Sequence, residues 1–269
     1  MLQGRFFRRL LELRTRLEHA PELPFAEALS VASVQAILEE LKVEFRDRIY
    51  TPLVTLWVFL SQALDADPSC RQAVSRLLAH RLERGLRPCS TDSGSYCTAR
   101  KKLPEALLQR LLQKTGAELQ QQAPAQWDVQ GRKVKVVDGT TVSMPDTAAN
   151  TQAFDKPRNQ RGAGPFPVAR VLVLFARVTG AALEPAIGPC RGKKTGELSL
   201  FRSLHHTLEP GDVLLGDRLF CTFCDIASLQ ARGIDCVFRL SSSRRPDFRR
   251  GRRLGRGDHI VTWSKPKKC

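Results

Sequence analysis

Val134-Lys135-Val136-Val137-Asp138 and Gly211-Asp212-Val213-Leu214-Leu215-Gly216-Asp217 decide how this chain is read. Each contains a short aliphatic run and closes on an aspartate, and the first is rich in β-branched residues. That is the composition expected of a buried strand with a polar tip. Two carboxylates at two strand tips are the beginning of a site for a hard divalent cation, provided the two strands are neighbours.

The surrounding pattern says that they are. Further short runs occur at Val168 to Val178, Ala181 to Ile187 and Ile234 to Leu240, with Thr179-Gly180 as a hairpin turn between the first two. Stretches of helical length, Glu197 to His206 and Cys221 to Arg232, separate the last three strands. The predicted order is a strand, a β-hairpin, then helix, strand, helix, strand. An antiparallel meander followed by parallel strands with crossover helices is the pattern of an α/β, ribonuclease-H-like mixed sheet core, in which the first and fourth strands lie side by side. That arrangement brings Asp138 and Asp217 together from distant parts of the chain.

Before residue 130 the pattern is helical. Phe6, Leu10, Leu13 and Leu17 recur at three to four residues, as do Val31, Val34, Ile37, Leu38 and Leu41. Cap oxygens at Ser90-Thr91-Asp92-Ser93 precede a short segment with Arg100, Lys101 and Lys102. Pro104 then opens a helix with Leu107, Leu108, Leu111 and Leu112 on one side. Such a pair of helices with a basic end suits docking on DNA and equally suits a solvated helix end in an ordinary bundle. The expected organisation is a helical N-terminal domain over residues 1–130, a core over 131–240 and a basic segment over 241–269.

Charge narrows the class of partner. The 269 residues include 43 Lys and Arg against 27 Asp and Glu, a formal charge of +16, while 42% hydrophobic content is enough for a real core. A polyanion, nucleic acid first, is the expected partner. The longest apolar run, Pro52 to Leu60, is short of the roughly 20 residues that span a bilayer, and no cleavable signal peptide is visible, so no membrane association and a cytoplasmic, nucleoid-associated location are expected. Eight cysteines at irregular spacing suit reduced thiols. Cys221-x-x-Cys224 lacks the second pair or histidine partner of a zinc site. The Arg158 to Pro165 loop is basic and glycine-containing but has no lysine-serine ending, and reads as a strand connector.

Longer motifs carry a resemblance. Val136-Val137-Asp138-Gly139-Thr140-Thr141, Met144-Pro145-Asp146-Thr147, Gly192-Lys193-Lys194-Thr195-Gly196-Glu197, Gly211 to Arg218 and Val237-Phe238-Arg239 occur in order over residues 134–240. With Ser95-Tyr96-Cys97 and Ala99-Arg100 through Leu103-Pro104 upstream, the chain resembles the DDE transposases of the bacterial insertion-sequence-4 group. The resemblance implies cut-and-paste chemistry: binding of element ends, DNA cleavage with Mg²⁺ or Mn²⁺, and joining of a 3′-hydroxyl to target DNA. It makes Asp138 and Asp217 the first two acidic metal ligands, and two such ions neutralise charge and activate the attacking oxygen. The partners implied are DNA and either a second copy or a full-length transposase.

The third ligand departs from that pattern. These transposases carry a glutamate on a helix far beyond the fifth strand, after a β-rich insertion, whereas no Glu follows Leu240 here and both tyrosines, Tyr50 and Tyr96, lie upstream. The expectation is a copy shortened inside the insertion, its last core helix missing. Glu197 is the one appealing substitute, although its place at a helix start also suits a dipole or capping role. Residues 241–269 hold ten Lys or Arg against two Asp. Arg244 and Arg245 there, together with Arg239, Arg218, Arg100 and Lys101, are candidate DNA contacts, while an unpacked basic tail is the alternative for this last segment. Two functions therefore stand open: a DNA-cutting transposase, and a DNA-binding remnant that cannot cut.

Overall fold

The computed structural model describes residues 29–46, 48–159, 162–191, 196–240 and 247–266. It divides the chain into two compact units, residues 1–111 and 112–269. The border falls inside a helix rather than at the composition change near residue 130.

The first unit is helical over its described residues. It holds α1 (Val31–Glu40), α2 (Pro52–Leu64), α3 (Cys70–Glu83), α4 (Gly94–Lys101) and the first turns of α5 (Glu105–Gln122). Their starts follow local chemistry. The side chains of Ser30, Thr51 and Ser69 accept from the backbone N–H of Ser33, Val54 and Gln72, satisfying donors that a helix start leaves open. The apolar stripe of α1, Val34, Ile37 and Leu38, packs with Leu56, Leu107 and Leu111, while Val58, Val74, Leu77 and Tyr96 form a second cluster. The expected helix over Phe6 to Leu17 lies outside the described residues.

The second unit is mixed α/β around a five-stranded sheet. Its strands are β1 (Val134–Ser143), then, after the short helix α6 (Ala148–Ala153) and the two-residue pair β2 (Arg158–Asn159) and β3 (Gly162–Ala163), β4 (Val168–Ala176) and β5 (Ala182–Pro189). Helix α7 (Glu197–Leu204) leads to β6 (Val213–Gly216), and α8 (Phe223–Gln230) leads to β7 (Asp235–Phe238). The spatial order is β5-β4-β1-β6-β7. β1, β4 and β5 pair antiparallel, and β6 and β7 continue the sheet in parallel from the other side of β1. Gly180 makes the β4–β5 turn possible: its φ of 71° suits a residue without Cβ, and its N–H reaches Ala176 O at 2.8 Å.

One face of this sheet is the core. Val137, Leu172, Leu174, Ala176 and Leu214 meet Phe201 and Leu204 of α7, together with Phe220 and Leu229. The opposite face is more open, with Val136, Val171, Val173 and Leu215 half-buried and Ile187 and Val237 exposed. In the final segment, β8 (Arg252–Gly255) and β9 (Asp258–Ile260) form an antiparallel hairpin separate from the main sheet. Residues 252–260 therefore pair with each other as a hairpin.

Candidate active site

Asp138 is not at a strand tip. β1 runs on to Ser143, and Asp138 pairs with Val173 of β4 in the middle of a continuous antiparallel ladder. The tip exists only on the β6 side. There the parallel register runs Val134 with Val213, Lys135 with Leu214 and Val136 with Leu215, and stops. Two further steps along both strands set Asp138 alongside Asp217, which is the first residue after β6. The sequence-predicted pair thus falls at the same level of two neighbouring parallel strands, two residues past the last pair of their ladder.

Both aspartates are exposed. Asp138 Oδ1 accepts from the N–H of Gly139 at 2.8 Å, and Asp217 Oδ1 from the N–H of Leu219 at 2.8 Å. No ion pair links either one to a described cation. In a protein of +16, other aspartates have found such partners: Asp65 with Arg76, Asp146 with Lys156, Asp212 with Lys135, Asp225 with Arg202 and Asp235 with Arg132. Two neighbouring carboxylates with neither salt bridge nor burial keep all but one of their lone-pair directions for a ligand or solvent.

A glycine adjoins each aspartate, and each fits a close contact. A Cβ on Gly139 would stand 2.5 Å from Glu197 Oε1 and 3.0 Å from Leu172 Cδ1. A Cβ on Gly216 would stand 2.9–3.0 Å from the rings of Phe220 and Phe238. Both glycines therefore turn toward the α7-covered face. Because side chains alternate along a strand, Asp138 leaves β1 on the other, more open face.

Glu197 consequently does not join Asp138. Its carboxylate lies over Gly139 on the core side of the sheet, 4.0 Å from Arg170 Nε, while Asp138 points away from it. Among the described residues no group of three His, Cys, Asp or Glu side chains is arranged to hold a metal ion. Asp138 and Asp217 by themselves fall short of the three carboxylates that the expected chemistry uses.

The candidate cationic residues fall into distinct settings. Arg218 and Arg239, directly after Asp217 and just after β7, are exposed and make no ion pair with a described residue, so Arg218 does not neutralise its neighbour. Lys101 is likewise exposed at the end of α4. Arg100 is engaged: its Nη1 donates to Gln62 Oε1 at 3.1 Å, and its guanidinium lies 5.9 Å from the Phe59 ring centre and 5.7 Å from that of Tyr96. Arg244 and Arg245 lie outside the described residues. In the hairpin segment, Arg249 bonds Asp247 at 3.1 Å, and Phe248 packs against His259 at 5.4 Å.

Sequence reading missed the interactions that hold this site. Lys135 and Asp212 form a buried pair at 2.7 Å. Arg202 clamps Asp225 through two bonds of 2.7 and 3.1 Å, and the Thr222 hydroxyl also donates to Asp225, tying α7 to α8. A charged residue within an otherwise aliphatic run, Lys135 between Val134 and Val136, was the available signal. No family model and no curated protein matches the chain, and no helix among the described residues is long and apolar enough to cross a membrane.

Proposed function

We propose that this chain is a DNA-handling protein of the DDE transposase type, carrying two of the acidic residues of such a site and meeting DNA through its cationic surface. The observation that carries the reading is the β1–β6 register, which sets Asp138 beside Asp217 with no cation paired to either. The strand order supports it, since a three-stranded antiparallel meander extended by two parallel strands is the arrangement of a ribonuclease-H-like core. The net charge of +16 supports a polyanionic partner, with exposed Arg218 directly after Asp217 and exposed Arg239 just after β7. Element ends and target DNA are the partners in this reading, together with a second copy of the chain or a full-length transposase, and nucleoid association follows from them.

A second reading is favoured by a specific observation: the described residues supply two carboxylates and no third. On that reading the chain binds DNA without cutting it. Incubating supercoiled plasmid with the purified chain and Mg²⁺ or Mn²⁺, beside the Asp138→Ala variant, separates the two. Nicking that disappears in the variant assigns the chain to the cutting class. Absence of nicking, with DNA retained in a gel shift at low salt and released as salt rises, assigns it to the binding class. Loss of both nicking and retention overturns the DNA-handling reading altogether.

A further inference from the structure

Beyond that reading, the second unit holds a cavity of about 360 Å³ lined by Trp127, Arg177 and Val178 and by neither acidic residue. Its lining comes from two segments that backbone hydrogen bonds hold in place. Trp127 ends a single 3₁₀ turn, Ala125–Trp127, in which its N–H donates to Pro124 O at 2.9 Å and that of Asp128 to Ala125 O at 3.1 Å. The chain then doubles back between Val129 and Arg132, with φ of 54° at Gln130 and 74° at Gly131, and the Arg132 guanidinium binds Gly211 O, Asp212 O and Asp235. Arg177 and Val178 follow β4 at its turn to β5, where the N–H of Arg177 donates to Val134 O at 2.9 Å. On this fixed backbone the Trp127 ring is 50% exposed. Arg177 is also exposed, and its guanidinium makes no hydrogen bond or ion pair with a described residue.

We propose that this cavity binds one nucleotide, its base stacked on the indole of Trp127 and its phosphate paired with Arg177. An indole held in water offers a flat apolar surface to any base, whatever its sequence. A guanidinium without a carboxylate partner presents its fork of donors to a phosphate, and no acidic residue lines the cavity to oppose the charge. The volume lies at the low end of the roughly 300–1,000 Å³ of small-molecule sites, which suits a single nucleotide. The charge of +16 selects a nucleotide over an uncharged aromatic ligand.

Bases within a duplex are already stacked on their neighbours, so the ligand is an unstacked base, carried either by a free nucleotide or by a single strand. A single strand as the source rests on the DNA-handling reading; the site itself does not. Such a site would hold an unpaired stretch of DNA at the end of the sheet where β1 begins, while duplex is met elsewhere on the cationic surface.

The test titrates the full chain with thymidine 5′-monophosphate and follows tryptophan emission. Of the three tryptophans Trp57 is buried, so Trp127 and Trp263 are the two that a ligand can quench. The expected result is saturable quenching that is lost in Trp127→Leu and kept in Trp263→Phe, with a midpoint raised about tenfold in Arg177→Ala and for thymidine, which lacks the phosphate. No saturable quenching, quenching kept in Trp127→Leu or lost in Trp263→Phe, or an unchanged midpoint in Arg177→Ala overturns the proposal. If circular dichroism shows Trp127→Leu unfolded, Trp263→Phe and the thymidine comparison decide. A short oligothymidylate that binds more tightly per nucleotide than the monophosphate assigns the site to single strands, and equal affinity assigns it to the free nucleotide. Plasmid retention in a gel shift is read on the same preparation: retention without quenching overturns this site alone, and quenching without retention overturns the DNA-handling reading and leaves the site standing.

Discussion

Lys135 Nζ lies 2.7 Å from Asp212 Oδ2 with both side chains 4% exposed, a complete ion pair inside the second unit. Lys135 also donates to Thr207 O at 2.9 Å, and Asp212 accepts from the N–H of Glu209 at 2.8 Å. The pair ties the beginnings of β1 and β6, the two strands that bring Asp138 and Asp217 together further along. One charged bond thus anchors the register on which the acidic pair depends. Removing one partner strands a buried charge, at a cost of about 3–5 kcal/mol, whereas removing both avoids that penalty. Asp212→Ala is expected to lose about that much stability in urea unfolding. The double change Lys135→Met with Asp212→Leu is expected to lose clearly less.

Gly216 lies directly before Asp217 and has no space for a methyl group. The rings of Phe220 and Phe238 would face a new Cβ at 2.9–3.0 Å, and Phe220 is buried in the core. Neither ring can give way without moving its own neighbours, so Gly216→Ala is an overpacking change costing about 1–3 kcal/mol. The expected readout is a lowered urea midpoint. Gly211→Ala provides no such steric contrast, since its φ of 93° is itself strained for alanine; Gly196→Ala, with open space around the added carbon, is the proper control.

Arg100 and the exposed cations should separate by assay. Arg100 is held by Gln62 and the faces of Phe59 and Tyr96, so Arg100→Ala is expected to destabilise the helical unit by about 1–2 kcal/mol. Arg218→Ala and Arg239→Ala remove no ion pair with a described residue, and their unfolding midpoints are expected to match the parent closely. If DNA runs past the acidic pair, these two variants weaken retention in a gel shift and make the salt dependence shallower, by about one unit of slope per lost phosphate contact. Lys101→Ala supplies the comparison on α4.

Acid should destabilise the second unit in two stages. Burial holds the His205 imidazole below its ordinary 6.5, against the raising effect of Asp225 and with Arg232 and Arg202 adding to the depression. Its Nε2 is buried with no hydrogen-bond partner, and the ring packs edge-on against Phe201 at 4.5 Å. The unfolded chain then takes up the proton first, so this residue's contribution is complete above about pH 6.5 and is lost as pH falls toward the lowered value. Asp225 behaves differently. Burial raises its carboxyl, but hydrogen bonds from Arg202 and Thr222 more than offset this and hold it below 3.8, so its contribution is present above that pH and lost below. Urea midpoints between pH 7.5 and 5 are expected to fall in the parent and to fall less in His205→Leu.

Periodicity made the elements legible because it is a local property. The helical spacing of Val34, Ile37 and Leu38, the β-branched runs at 134–137 and 168–176, and the turn at Thr179-Gly180 each appear in the structure near the predicted place. Boundaries were less legible. β1 continues through Gly139-Thr140-Thr141 because β4 supplies partners for that polar stretch, and no composition rule at residue 138 announces a pairing made with residues 168–176.

The sequence by itself determined the basic charge, the succession of helices and strands, and two aspartates that each close an aliphatic run. Only the tertiary structure decided which carboxylates meet. The parallel register of β1 and β6, carried two residues past its last pair, sets Asp138 level with Asp217, a relationship that depends on long-range hydrogen bonding and on the Lys135–Asp212 anchor. Glu197 is kept apart from Asp138 because it lies over the neighbouring Gly139, and one residue along a strand is the difference between its two faces.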